Sequence, residues 1–334
     1  MSLSVQKLKK FLVLFNLLGN LAFATVAFDK DLFIKTVRSS IDQGIQTLLP
    51  GGYETLEINT NLEGFSSHGK RVQVVRGKDG RIHRFFIKIF HENTCLDDRK
   101  AAIAAIQKVS ALWGYPKVFW HDQDYRLFIT EFLEAPHATP KDFRNSAFLK
   151  EFIKNLKASH EQLFDLKISA STFLDRTKKR LQELIQVSPE LDLQLKKAKE
   201  FLETFPTESN AIVHGDIQAN NILKANDHGI LIDWTSQHWG DVFDDLGSLA
   251  EQLKFNKHQE KELLITYFGT ASKKHFEKLH AHRQLNRLHF GLYFLREGLK
   301  KVKAQKAKLK PGMCGLSTHP FVQKGRKMLE GFLE

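Results

Sequence analysis

The chain has 334 residues, of which 42% are hydrophobic and 26% charged, and this composition excludes a collagen-like, disordered or disulfide-stapled protein. It contains only two cysteines, Cys95 and Cys314, so the close cysteine spacing of a zinc site is also excluded. The 50 lysines and arginines against 38 acidic residues give a formal net charge of +12. That charge suits phosphorylated ligands, anionic membranes or nucleic acids without choosing among them.

The first 28 residues have the layout of a signal peptide or of a membrane anchor. A lysine-rich start at residues 7–10 precedes an uncharged run, residues 11–28, which contains the cleavage-like triplet Ala22-Phe23-Ala24. A third interpretation is an apolar helix that lies on the domain or on a membrane surface. No second apolar run follows, so a multi-span protein is excluded.

Residues 29–133 have mainly the pattern of β-strands. Alternating apolar residues over 55–63 and 72–75 predict one hairpin, and 118–132 predicts another. Between them, a turn at 78–80 leads into the β-prone run 84–90, and a helix is predicted after Asp97 and Asp98.

Residues 134–334 change to the helical period of apolar residues. Two short apolar runs, 211–223 and 229–234, interrupt the helices and surround polar clusters. The pattern therefore predicts an α+β chain with a strand-rich lobe followed by a helical lobe.

The chemistry-bearing residues lie in this interruption. Asp216 and Asp233 each follow an apolar strand, and Asn221 lies on the loop between them. These three side chains offer an oxygen-only ligand set, which suits Mg²⁺ completed by substrate phosphates. The alternative is that both aspartates are ordinary turn residues that close strands.

Three blocks in this order resemble the aminoglycoside phosphotransferase and choline kinase family. They are His214-Gly215-Asp216-x4-Asn221, then Ile232-Asp233-Trp234, then Gly240-Asp241-x2-Phe243-Asp244-Asp245-Leu246. The resemblance implies a bilobal protein-kinase-like fold with an antiparallel-sheet N-lobe and a mainly helical C-lobe. Residues 1–28 would then be the apolar N-terminal segment, 29–133 the nucleotide-binding lobe, and 134–334 the catalytic and acceptor-binding lobe.

The resemblance also implies roles for individual residues. Asp216 matches the catalytic aspartate that accepts or orients the proton of the substrate hydroxyl, and Asn221 and Asp233 match the ligands of Mg²⁺. Lys88, at the centre of the 84–90 strand, matches the lysine that contacts the phosphates of ATP.

Further positions match supporting parts of the family's site. Ser66 and Ser67 occupy the phosphate-covering turn. Glu131 and Leu133 lie where the backbone of the segment between the lobes binds adenine. His214 and Asp245 match residues that brace the catalytic loop.

One departure from the family concerns the helix that follows the lysine strand. The family places there a glutamate that pairs with the lysine, but the best-aligned positions, residues 99–103, contain no acidic residue. Either Asp97 or Asp98 substitutes for it, or phosphates alone hold Lys88. A catalytically inactive pseudokinase that acts as an interaction module therefore stays open as an alternative.

The acceptor pocket is predicted around Trp234, Trp239 and Tyr293, because these aromatic residues fall in the family's acceptor region. Such rings could cage a quaternary ammonium or stack on a thiamine ring, with Glu251 and Glu297 balancing the positive charge. The alternative is that Phe290, Tyr293 and Phe294, which follow helical spacing, are plain core.

The sequence therefore predicts an ATP- and Mg²⁺-dependent kinase for a small hydroxyl-bearing acceptor. A choline-, ethanolamine- or thiamine-like acceptor is preferred, and an aminoglycoside remains open. No nucleic-acid partner is expected, because the lysine run 300–310 lacks interleaved aromatic residues. The need for ATP predicts a cytoplasmic chain, with membrane association through residues 11–28 or export as the alternatives.

Overall fold

The computed structural model describes residues 30–59, 69–90, 94–112, 114–168, 171–186, 192–225, 227–306 and 319–333. The signal-like run, Ser66, Ser67 and the end of the lysine run lie outside the described residues.

An antiparallel sheet of five strands forms the first lobe. The strands are β1 (Tyr53–Asn59), β2 (Gly69–Gly77), β3 (Ile82–Ile89), β4 (Val118–His121) and β5 (Leu127–Glu131), in the spatial order β1-β2-β3-β5-β4. Both predicted hairpins are confirmed, since β1 pairs with β2 and β4 pairs with β5. The predicted turn at 78–80 joins β2 to β3, and β3 lies at the centre of the sheet.

Two helices cover this sheet, and the strand-like pattern predicted only the second of them. Helix α1 (Lys30–Leu48) buries Ile41 and Ile45 against Ile87 and Ile129 of the sheet. Helix α2 (Leu96–Val109) follows β3, as predicted, and buries its alanine- and isoleucine-rich face. Because Ile87 faces α1, the period of two directs Lys88 toward the opposite face of the sheet.

The rest of the chain is mainly helical. The helices are α3 (Ser146–Leu163), α4 (Phe173–Ile185), α5 (Asp192–Thr204), α6 (Val242–Gln252), α7 (Lys257–Phe268), α8 (Lys273–Lys306) and α9 (Pro320–Leu333). Side chains fix several helix starts, because Asn145 caps α3, a Thr172–Asp175 capping box begins α4, and Asp241 caps α6.

Four short strands form two small ladders between α5 and α6. Strand β6 (Ala211–Val213) pairs with β9 (His238–Gly240), and β7 (Ile222–Ala225) pairs with β8 (His228–Leu231). These ladders contain the two short apolar runs, 211–223 and 229–234, that interrupt the helical pattern of the sequence. They hold the segments 214–221 and 232–237 side by side.

Two apolar cores support the second lobe. The larger one joins α2, α3, α6 and α7 to the short strands, and the other joins α4, α5, α8 and α9. Helices α4 and α8 therefore form a unit beside the short strands. Within the described ranges, no helix is both long enough and apolar enough to cross a membrane.

The packing of α9 on α8 leaves no room for a side chain at Gly325. A Cβ there would lie 2.6 Å from the backbone nitrogen of Leu295, whereas at Gly331 the nearest atoms lie 3.7 Å away. We expect Gly325→Ala to lower the free energy of unfolding by about 1–3 kcal/mol.

The matched control is Gly331→Ala, in the same helix. It should leave stability unchanged or raise it by about 0.5–1 kcal/mol, because alanine favours helix. Urea denaturation of both variants is the measurement, and equal stabilities would contradict the close contact at Gly325.

Candidate active site

A sharp turn at Gly215 carries the chain from β6 to Asp216. Gly215 has a φ of +74°, in the left-handed region that favours glycine. A Cβ there would lie 2.7 Å from Nδ1 of His238 and closer still to the carbonyl oxygen of Ser236. The turn is thus packed against the segment that follows Asp233.

The buried carboxylate of Asp245 holds this turn. Its Oδ2 accepts hydrogen bonds from the backbone N–H of His214 (2.7 Å) and from His160 Nε2 (2.9 Å), and its Oδ1 accepts one from the N–H of Gly215 (2.9 Å). Burial raises the pKa of Asp245, but these donors more than offset it, so the pKa lies below its usual value. Asp245 therefore remains ionised at neutral pH.

His214 joins the turn to the second segment of the site. Its Nε2 lies 2.9 Å from the carbonyl oxygen of Ile232, and its Nδ1 accepts from the N–H of Asp216 at 3.2 Å. The Nε2–H tautomer satisfies both bonds. His214 is fully buried, and this placement fits the bracing role predicted for it.

Asp216 lies at the end of the turn, where two side-chain amides hold one of its oxygens. Its Oδ2 accepts from Asn221 Nδ2 (2.9 Å) and from Gln218 Nε2 (3.1 Å). Burial raises the pKa of Asp216, and the charge of Asp233 adds to this effect. A half-buried carboxylate that is fixed on one oxygen can accept a proton from a bound hydroxyl on the other.

The carboxamide of Asn221 is oriented by the same contacts. Its Nδ2 donates to both the backbone oxygen and Oδ2 of Asp216, which directs the amide nitrogen toward the catalytic turn. Its oxygen is then the atom available to a cation. With the carboxylate of Asp233, this all-oxygen donor set fits Mg²⁺.

Asp233 adopts a backbone conformation that few residues other than glycine adopt. Its φ is +69°, and the preceding residue is held by the bond from Ile232 N–H to the oxygen of Asn221 at 2.8 Å. Such strain persists only where surrounding contacts maintain it, and it is typical of functional positions. It turns the carboxylate of Asp233 toward the sheet of the first lobe.

Lys88 reaches Asp233 from β3 and so links the two lobes. Its Nζ forms an ion pair with Asp233 Oδ1 and a hydrogen bond with Thr235 Oγ1 at 2.9 Å. Thr235 in turn donates to Asp233 Oδ1 at 2.7 Å. The ammonium is 3% exposed, so its placement depends on these acceptors.

Helix α2 meets the site through small residues where the family has its glutamate. Ala101 and Ala102 are buried there. With its amide oxygen toward α2, the Gln237 side chain accepts a hydrogen bond from the N–H of Ala102 at 2.9 Å. The helix therefore packs closely on the segment after Asp233.

The segment between the lobes begins at the end of β5. The N–H of Glu131 bonds to the carbonyl oxygen of Lys117 (2.9 Å), and the carbonyl oxygen of Leu133 accepts from the N–H of Ala135 (3.0 Å). Both residues thus lie in the segment predicted to bind adenine, and that role stays a prediction.

The structure does not bring the three predicted acceptor-pocket aromatics together. Trp234 is 1% exposed and packs edge-on against His214, so it is a core residue. Trp239 contacts Phe164 and lines a cavity of about 750 Å³ beside α2. Of the three, Tyr293 is the one that contacts an arginine of α4, Arg180.

Helix α4 carries two arginines that the sequence pattern did not single out, and one of them lies beside Tyr293. Arg176 and Arg180 are one helical turn apart on α4, and the Arg180 guanidinium lies 5.0 Å from the centre of the Tyr293 ring. Burial raises the pKa of Tyr293, and the charges that act on its hydroxyl include Arg180, Arg296 and Asp216. These groups therefore share one electrostatic neighbourhood, which only the packing of α4 on α8 creates.

Asp245→Asn tests the bracing of the catalytic turn. We expect a loss of about 2–4 kcal/mol in the free energy of unfolding at pH 7, since the amide nitrogen cannot accept from three donors. A carboxylate with a lowered pKa stabilises the fold above its unfolded pKa and loses this effect as the pH falls. The difference in unfolding free energy between wild type and variant should therefore shrink as the pH falls below 3.8, the usual pKa of an aspartate. A difference that is independent of pH in urea denaturation would contradict this role.

Comparisons with known proteins agree with this geometry. The model of the phosphotransferase enzyme family matches residues 61–282. The LicA homolog of Metamycoplasma hominis is 34% identical over 90 residues, which are 27% of this chain and 35% of that protein. The chain thus spans about a third of the length of this curated relative.

Solved structures share the fold at low sequence identity. A choline/ethanolamine kinase family protein from Mesorhizobium loti has a TM-score of 0.61 at 17% identity, over 89% of this chain and 95% of that chain. The gentamicin complex of APH(2")-IIa has a TM-score of 0.60 at 14% identity, over 88% and 95% of the two chains. The predicted α+β protein-kinase-like fold is confirmed, and the chain belongs to the phosphotransferase enzyme family.

Proposed function

We propose that the protein is an ATP-dependent kinase that transfers the γ-phosphate to a hydroxyl group of a small acceptor. The observation that carries the proposal is the convergence of Asp216, Asn221, Asp233 and Lys88 between the two lobes. Membership in the phosphotransferase enzyme family supports the same reaction class.

Asp216 acts on the acceptor hydroxyl in this proposal. The hydroxyl oxygen forms the new bond to the γ-phosphorus, the bond from this phosphorus to the bridging oxygen breaks, and ADP leaves. The hydroxyl proton passes to the carboxylate of Asp216. Asn221 and Gln218 keep that carboxylate aimed throughout the transfer.

Lys88, Asp233 and Asn221 serve the donor. Asn221 and Asp233 would hold Mg²⁺, which supplies neutralisation of phosphate charge when it is bound. Lys88 places an ammonium beside that position, where it can contact donor phosphates. Glu131 and Leu133 would bind adenine through their backbone, and Ser66 and Ser67 would cover the phosphates.

The alternative is a pseudokinase that binds nucleotide without turnover. This alternative arises because α2 lacks the glutamate that would pair with Lys88. The contacts of Lys88 with Asp233 and Thr235 support turnover in this proposal, because they hold the lysine from the segment after β8 in place of that glutamate. Turnover is thus the favoured proposal, and it carries the expectation that the catalytic lobes lie in the cytoplasm, where ATP is available.

The first acceptors to test follow from the relatives and from the sequence. The Mesorhizobium loti protein is named as a choline/ethanolamine kinase family member, and APH(2")-IIa binds gentamicin. Choline, ethanolamine, thiamine and gentamicin therefore form the starting panel. The cation-balancing role predicted for Glu251 has little support, because Arg283, Arg287 and Lys254 already pair with that carboxylate.

Asp216→Asn tests the catalytic role. We expect kcat for acceptor-dependent ADP release to fall about 10³-fold, because an amide cannot accept the hydroxyl proton. Stability should stay equal or rise, since a buried charge is removed. ADP release and urea denaturation are the measurements. Activity retained in a stably folded variant would contradict the role.

Thr235→Val tests whether Thr235 positions Lys88. The change keeps the side-chain shape and removes the hydroxyl, so we expect the KM for ATP to rise about tenfold from the loss of a charge-assisted hydrogen bond. Thr235→Ser is the matched control and should restore the wild-type KM. An unchanged KM and kcat in the valine variant would show that Asp233 alone suffices.

A further inference from the structure

Helix α4 carries two arginines, Arg176 and Arg180, on one of its faces. The capping box of Thr172 and Asp175 begins this helix just before Arg176, and Arg180 follows one turn later on the same face. Both side chains are half-buried. The contacts of each arginine indicate what this face of α4 can bind.

Arg176 is fixed next to the turn that carries Asp216. Its Nη1 donates to the carbonyl oxygen of Ser171 at 2.7 Å, and its guanidinium lies 5.8 Å from the ring centre of Phe173. Its Nη2 lies 3.4 Å from Nδ1 of His238. That same nitrogen is the atom a Cβ on Gly215 would meet, so Arg176 and the catalytic turn flank one imidazole.

Arg180 is oriented by a neutral histidine on α8. Its Nη1 donates to Nε2 of His289, whose Nδ1–H donates to Thr177 Oγ1 at 2.6 Å. Burial lowers the pKa of His289 well below its usual value, and the charges of Arg180 and Arg176 add to this. A neutral ring can accept from Arg180, so the guanidinium is aimed without its charge being cancelled.

Arg176 and Arg180 differ from the neighbouring Arg296 in their ion pairs. Arg296 pairs with Glu183 and Glu297. Arg176 and Arg180, by contrast, form no ion pair with a carboxylate in the ranges that the structure describes; their contacts are a carbonyl, imidazoles and aromatic rings. The pKa of Arg180 is lowered to about 10, chiefly by burial; the charges of Arg296 and Arg176 contribute to this lowering, and those of Tyr293 and Glu297 oppose it.

The arrangement has one carboxylate end and one cationic end. The charge of Asp216 acts on Arg176 together with those of Asp244, Asp175 and Asp245, and Arg176 and the turn that carries Asp216 flank the same His238 ring. A ligand whose hydroxyl meets Asp216 would therefore extend toward the two guanidiniums. Guanidinium groups bind carboxylates and phosphates through paired N–H donors and repel ammonium groups.

We propose that the acceptor carries a carboxylate or phosphate group besides its hydroxyl, and that Arg176 and Arg180 bind this anionic group. The inference rests on the proposed kinase function. An anionic acceptor differs from the cationic acceptors that the aromatic residues suggested.

The test compares four acceptors that share a three-carbon skeleton with a free hydroxyl. They are glycerol, 3-amino-1,2-propanediol, glycerate and glycerol 3-phosphate, which are neutral, cationic, singly anionic and doubly anionic. ADP release with Mg·ATP gives kcat/KM for each, with choline and ethanolamine measured alongside. We expect kcat/KM for the anionic acceptors to exceed that for the cationic ones by at least about tenfold. Comparing glycerate with glycerol 3-phosphate then shows whether a carboxylate or a phosphate is preferred.

Variants on α4 assign the preference to its residues. Arg180→Gln should reduce the anionic preference about tenfold, and Arg180→Lys should restore part of it. Lys179→Gln is the matched control, since Lys179 is exposed on the same helix and the change removes the same charge. It should leave the preference unchanged. Thermal unfolding of each variant checks that the fold is intact.

Binding measured without turnover separates this inference from the proposed function. Thermal stabilisation of the wild type by the four compounds, in the presence of a non-hydrolysable ATP analogue, reports acceptor binding alone. Stabilisation by the anions without ADP release would support the inference and overturn the kinase proposal. Turnover of choline or ethanolamine, with neither binding nor turnover of the anions, would support the kinase proposal and overturn the anionic acceptor. Equal responses across the charge series would overturn the anionic acceptor.

Discussion

The contact on which the site depends is the buried carboxylate of Asp245. It accepts from the N–H groups of His214 and Gly215 and from the ring of His160, so a helix, a strand end and the catalytic turn meet at one charge. A buried charge is tolerated only where such donors surround it. Asp216 follows directly after the turn, so its position depends on these hydrogen bonds.

The second constraint is the link between the lobes through Lys88. A nearly buried ammonium on the central strand of the sheet needs acceptors, and the strained backbone at Asp233 supplies one while Thr235 supplies another. A nucleotide bound between the lobes would offer phosphates to the same ammonium. The ion pair thus holds Lys88 and Asp233 together between the lobes, where the proposed donor would bind.

Charge is distributed unevenly around this site. The carboxylates of Asp216, Asp233 and Asp245 lie on or beside the loop, whereas Arg176 and Arg180 of α4 are held by a backbone carbonyl and a neutral histidine. The total of +12 said little about this arrangement, since most of the lysines and arginines are spread over the chain. The packing of distant segments, rather than the total charge, decides which charged groups lie near Asp216.

The sequence by itself determined the hairpins, most helices and the catalytic loop. Alternation and helical periods report local burial, and the Asp216-to-Asn221 spacing lies within one loop, so neighbours in sequence carry that information. Helix α1 was not predicted; among its described side chains, Ile41 and Ile45 are buried in the sheet core and Leu48 packs against that core. The tertiary structure alone decided that Thr235 contacts Lys88, that Trp234 is core, and that Arg176 lies beside the catalytic turn. These facts depend on contacts between segments distant in the chain, and no periodicity in a single sequence records which distant segments will meet.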